Sequence, residues 1–133
     1  MKKLLLFFLF CTILCCGFKF NRGIILFNKQ PITEKTALHN SKVFNIGERV
    51  YYLFIAPKRM KNEYIRVQIF KMTDKAPWGG NEVRRTKDYR LMKDERYYHT
   101  DYFVLHEKGR YVMQVFSTDD FLHPLSIGDF YVK

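Results

Sequence analysis

The chain has no cysteine after residue 16. All three cysteines, Cys11, Cys15 and Cys16, lie in the N-terminal stretch, so the body has no thiol chemistry and no disulfide, and its stability must come from packing. The four histidines, His39, His99, His106 and His123, fall in no close metal-ligand spacing such as HExxH, and no metal is expected. Gly79 and Gly80 are followed by Asn81, Glu82 and Val83, not by the lysine and hydroxyl residue of a phosphate-binding loop, so they read as a tight turn. His99 and Asp101 would share a face of a strand and could orient one another, yet no nucleophile stands in a supporting motif. Both read as surface or partly buried polar groups, and no catalytic residue or cofactor is expected. Asp119 and Asp120 with His123 suit a turn with capped backbone groups better than a loose cation site.

Charge is also missing from residues 4 to 16, and there the absence is informative. Met1, Lys2 and Lys3 make a basic start, and the run from Leu4 to Cys16 is uncharged and almost wholly apolar. This is the layout of a bacterial export signal, with a core too short for a stable transmembrane helix of about 20 residues. We assign residues 1–15 to the signal and 16–23 to a short tether, and expect one domain over 24–133. Ile13, Leu14, Cys15 and Cys16 resemble a degenerate bacterial lipoprotein signal, with Cys15 where such signals usually carry Gly, Ala or Ser. The resemblance implies lipid attachment at Cys16; ordinary secretion and a retained N-terminal anchor are the alternatives.

The whole chain carries a net charge of +10. Setting aside residues 1–15, which hold two lysines and no acid, leaves +8. A positive balance of that size favours anionic lipid, polysaccharide or an acidic protein. Nucleic acid is not expected as a partner of an exported protein.

Behind the lead-in, the pattern is one of short strands. Gly23 offers a permissive turn before Ile24 to Phe27, a first strand. Residues 28 to 42 read as a loop, with one helical turn around Glu34 to Leu38. Asn45, Ile46 and Gly47 make a turn before Arg49 to Ala56, where tyrosines and aliphatics on both faces imply a central strand. Ile65, Val67 and Ile69 alternate with Arg66 and Gln68, a half-buried strand. Residues 76–81 form a loop, and 82–95, rich in both charge signs, are expected as one or two solvated edge strands with an irregular link. Strands then follow from Tyr97 to Leu105, through Tyr111, Met113 and Val115 on one face, and from Leu125 to Val132. About seven strands with few helix signals predict an all-β sandwich.

The segment from Phe103 to Val115 resembles the late-strand signature of immunoglobulin-like and fibronectin-like sandwiches. The resemblance implies a tyrosine corner, with Gly109 easing the bend and the Tyr111 hydroxyl reaching back to the preceding backbone. The chain departs from antibody domains in lacking the paired cysteines, and Trp78 sits in a Pro/Gly loop unsuited to a core tryptophan. The abundance of Lys, Asn, Phe and Ile, with the loose lipoprotein-like signal, also resembles spirochaete exported proteins, which include surface lipoproteins and accessories of the periplasmic flagellar apparatus.

The largest charge features are Lys58, Arg59 and Lys61, and then Arg84, Arg85, Lys87, Arg90 and Lys93. Solvated loops and edge protection account for most of them. If the two groups meet in space, they form a surface for an acidic partner or an anionic membrane, with tyrosines adding aromatic area. Trp78 serves either as an interface anchor or as packing against the sandwich edge. The expected partner-binding residues are Trp78, Arg84, Arg85, Tyr97 and Tyr98. The function expected is non-catalytic binding or a structural role in the envelope or periplasm, at the periplasmic or outer-membrane face. The alternatives are a host-ligand-binding surface adhesin, a secreted hydrolase inhibitor acting through residues 74 to 82, and a small enzyme.

Overall fold

Period-two alternation of apolar side chains makes strands with one oily face, and such faces are stable only when two sheets bury them against each other. The computed structural model describes residues 22–73 and 81–133. Over them run β1 (Ile24–Asn28), β2 (Val43–Phe44), β3 (Arg49–Ile55), β4 (Tyr64–Met72), β5 (Asn81–Arg90), β6 (Tyr98–Val104), β7 (Gly109–Ser117) and β8 (Ser126–Val132), with one 3-10 turn at Lys93–Glu95. They form a three-stranded sheet, β1-β3-β6, and a five-stranded sheet, β2-β8-β7-β4-β5. The fold is an immunoglobulin-like β-sandwich.

The strand readings hold with small shifts of boundary. β3 is central, paired antiparallel with β1 on one side and β6 on the other. Its Tyr52 and Phe54 enter the core while Leu53 and Ile55, on the opposite face, are buried as well. Residues 34–38 form a turn, as expected. The charged stretch gives one long edge strand, β5, followed by the 3-10 turn. The sequence does not disclose β2, a two-residue strand pairing parallel with β8, because so short a strand has no period to read.

Inside, Ile65, Val67 and Ile69 from β4 and Tyr111, Met113 and Val115 from β7 meet Val50, Tyr52 and Phe54 from β3. Phe130 of β8 is the aromatic hub. Its ring lies 4.9 Å from Phe27, 5.6 Å from Phe103 and 6.0 Å from Phe44, and it stacks on Tyr111 at 5.5 Å. The Tyr111 hydroxyl donates to the Glu107 carbonyl at 2.7 Å, which makes the tyrosine corner that the sequence resemblance implies.

Gly23 matters for a reason other than the one expected. Among the described residues the positive-φ glycines are Gly47 and Gly109, so Gly23 does not serve a permissive dihedral. A Cβ there would stand 2.6 Å from the Ile55 carbonyl and 2.8 Å from the Phe54 ring. Close approach is what excludes a side chain.

Candidate functional site

β5 is the most solvated of the described strands. Its ten residues are exposed except at Arg85 and Tyr89, which are half-buried. It ends the five-stranded sheet, so among the described residues the backbone groups along its outer edge have no strand partner. Within the strand itself four cations, Arg84, Arg85, Lys87 and Arg90, stand with two acids, Glu82 and Asp88. A bulge interrupts the pairing with β4: Ile69 opposes Arg85 while Phe70 opposes Val83, leaving Arg84 as the extra residue. Bulges and charges of this kind blunt an edge against indiscriminate pairing.

The bulge sends Arg84 into an ion-pair network. Its guanidinium lies 2.8 Å from Glu82 and 3.0 Å from Glu107, and Lys71 also binds Glu107 at 2.5 Å. The Lys71 ammonium, with Arg84 beside it, holds the Glu107 carboxyl below its ordinary range. One face further along, Arg66 makes a two-pronged bond to Asp88, at 2.8 and 3.1 Å. These exposed pairs contribute little to stability but fix the strand's charge pattern in place.

Behind β5 a polar cluster joins it to β6, the edge of the other sheet. Tyr89 donates to Asp101 at 2.7 Å, and the Tyr52 hydroxyl pairs with His99 Nε2 at 3.1 Å. The Tyr89 and His99 rings approach to 4.1 Å, and Lys87 Nζ lies 3.9 Å from Asp101. Burial lowers His99 to about 4 against the pull of Asp101, with Lys87 adding to the lowering. Burial pushes Tyr89 up to about 12 and Tyr52 well above the ordinary tyrosine value. Asp101 is raised by its burial but more than compensated by Tyr89, the Tyr102 amide, Lys87 and His99, so it stays below the usual carboxylate range.

The cluster therefore sits at neutral pH as a neutral imidazole, two neutral phenols and a carboxylate. His99 and Asp101 are the pair noted in the sequence, and their hydrogen bonds run to tyrosines of the fold. Among the described residues no three His, Cys, Asp or Glu side chains gather to hold a metal ion. Asp120 accepts from the Leu122 and His123 amides at 3.0 and 3.2 Å, and its other oxygen meets His123 Nδ1 at 3.1 Å. That is the capped turn expected for those residues.

The two basic sequence groups meet in part. Residues 57–62 are laced to the segment after β5 by Met60 N to Arg96 O at 2.9 Å and Arg96 Nη1 to Lys61 O at 3.0 Å. Arg59, Lys61, Lys93 and Arg96 then line one depression over Met60. Arg84 and Arg85 stand apart from it, because Arg84 precedes Arg90 by six residues, roughly 20 Å along the strand. Tyr97 and Tyr98 belong to the depression's end of the molecule: the Tyr97 carbonyl accepts from Ala56 N, and Tyr98 pairs with Ile55. The structure thus spreads Arg84 and Arg85 from Tyr97 and Tyr98. Trp78 and Cys16 lie outside the described residues.

Sequence reasoning missed Arg96 and the two apolar residues that seat this end, Met60 and Leu91, which are 8% and 2% exposed. Met60 stands alone among charges and Leu91 has only Met92 beside it, so no periodic signal marks either.

No family model matches the sequence, and no curated protein does. Among solved structures, an immunoglobulin-like protein from Pseudomonas aeruginosa superposes with a TM-score of 0.51 at 14% identity, over 83% of this chain and 92% of that one. The PmoD soluble domain from a Methylocystis species superposes with a TM-score of 0.50 at 11% identity, over 87% and 94%. Likeness at such identities is likeness of fold, and the fold it shows is the immunoglobulin-like sandwich.

Proposed function

We propose that this chain is a non-catalytic binding module of the bacterial envelope or periplasm, exported, tethered through Cys16, and engaged with an acidic protein partner. The observation that carries the reading is β5, a ten-residue edge strand whose outer side has no strand partner among the described residues and which holds four cations against two acids. A second copy of the same edge meets like charge, whereas an acidic surface meets opposite charge and unused backbone groups. Electrostatic complementarity of this kind speeds encounter and selects the partner. The seam behind β5 suits the role, since its histidine and carboxylate are spent on holding two sheets together.

Crosslinking and pull-down with the full chain from envelope fractions test the partner. Arg84→Glu with Arg85→Glu should cut capture at least about tenfold, while the thermal midpoint moves by only a few degrees; undiminished capture overturns the reading. The tether has its own test in metabolic palmitate labelling. Label should enter the native chain and vanish in Cys16→Ser, and an unlabelled native chain refutes attachment.

A further inference from the structure

The depression between the β3–β4 loop and the turn after β5 has the chemistry of an oxyanion site. Four cationic side chains, Arg59, Lys61, Lys93 and Arg96, line an open volume of about 580 Å³ floored by Met60. They come from two segments far apart in sequence, fastened together by Met60 N to Arg96 O and by Leu91 N to Glu63 O at 2.6 Å. Arg59 Nη2 reaches the Lys93 carbonyl at 3.5 Å, so the side chains on the two walls are held toward each other. Across residues 57–63 and 90–97 there are six cations, Lys58, Arg59, Lys61, Arg90, Lys93 and Arg96, and three acids, Glu63, Asp94 and Glu95. Glu63 is drawn to one side by Arg90 at 3.2 Å and Arg96 at 3.9 Å.

Arg96 is the centre of the arrangement. Its side chain is 14% exposed, Nη1 is committed to the Lys61 carbonyl, and its Nε is buried with no hydrogen-bond partner among the described residues. A buried donor without an acceptor is costly and rare in a folded protein. Because Nε itself is closed to solvent, an anion seated against the guanidinium would satisfy that donor only by moving the side chain.

We propose that this depression binds a phosphate-type oxyanion. A carboxylate offers two oxygens and one charge, which a single arginine fork can satisfy; a phosphate offers more oxygens and up to two charges, and matches two arginines and two lysines converging from opposite walls. The site is independent of the protein-binding reading, since it lies at the end of β5 remote from Arg84 and uses none of the residues tested there. The phosphate arrives either free in solution or as the phosphomonoester headgroup of an anionic lipid such as phosphatidic acid.

The test is a titration of the full chain with inorganic phosphate, followed by amide and arginine Nε NMR shifts, against chloride at matched ionic strength. Saturable shifts at Lys61, Lys93 and Arg96 are expected with phosphate alone. In Arg59→Gln with Lys93→Gln, both side chains being exposed, the thermal midpoint should move by only a few degrees while affinity falls at least about tenfold. Shifts that are linear, that chloride reproduces, or that survive in the double variant overturn the proposal. Vesicles of phosphatidylcholine with or without phosphatidic acid then separate the sources. Binding to the anionic vesicles that the double variant weakens, and that phosphate competes away, assigns the headgroup; vesicle binding indifferent to the variant, with phosphate still bound, assigns free phosphate.

Discussion

The two sides of the sandwich are closed in opposite ways. Where β1 meets β8, backbones come close and the filling is apolar: a Cβ on Gly128 would stand 2.9 Å from the Phe27 ring, and Phe27 packs on Phe130. Ser126 Oγ, 1% exposed with its residue, donates to the Gly23 carbonyl at 2.6 Å and pins the entering chain. Where β5 meets β6, tyrosines, a histidine and an aspartate take the place of aliphatics. Apolar packing at the first side gains from area and shape alone. At the second side, each polar group must keep its partner, because an orphaned one costs its full desolvation. The polar side also leaves β5 free and charged at its rim, which is why the candidate binding surfaces gather there.

The difference can be broken most severely from the apolar side. Phe130→Ala removes the ring that touches Phe27, Phe44, Phe103 and Tyr111 and should cost about 3–5 kcal/mol in urea unfolding; a loss under about 1 kcal/mol would show that the hub is not where the core's cohesion lies.

The polar side is sensitive to acid. His99 titrates near 4 in the folded chain against 6.5 when unperturbed, so between those values the unfolded chain takes up a proton that the folded one refuses. Stability therefore falls as pH drops from about 6.5 toward 4, by a total of about 3 kcal/mol, and is fully present above that window. Asp101, held below its usual range, gives the same sign at lower pH. Unfolding curves from pH 7.5 to 5 check this, and His99→Gln should flatten the upper part of the slope. An unchanged slope in that variant would place the acid sensitivity elsewhere.

The mildest change sharpens the contrast. Tyr89→Phe keeps the ring against His99 but removes the bond to Asp101, and should cost about 1 kcal/mol. A cost equal to that of Phe130→Ala would mean that the polar seam behaves as a cooperative network rather than as separate bonds.

Much of the architecture is legible in the residues, and the illegible parts have physical reasons. Ile65, Val67 and Ile69 announce β4, and Tyr111 after Gly109 announces the corner, because both signals are local and periodic. Arg84 is visible as a cation, but its place in a bulge is set by how β4 and β5 register. Gly23 looks like a turn residue, and only the approach of Ile55 and Phe54 shows why a side chain is excluded. Arg96 reads as one charge among many; its buried Nε arises from a loop some 35 residues away in sequence.

What the sequence by itself determined is the strand alternation, the absence of any disulfide in the body, the positive charge and the resemblance to a tyrosine corner. These follow from residue type and spacing, which local backbone geometry obeys. The tertiary structure decided which edges lie open, which cations converge and which are neutralised by neighbours such as Glu82 and Glu107. Those depend on long-range pairing between sheets, and no local spacing encodes the distance between two strands that the chain brings together only on folding.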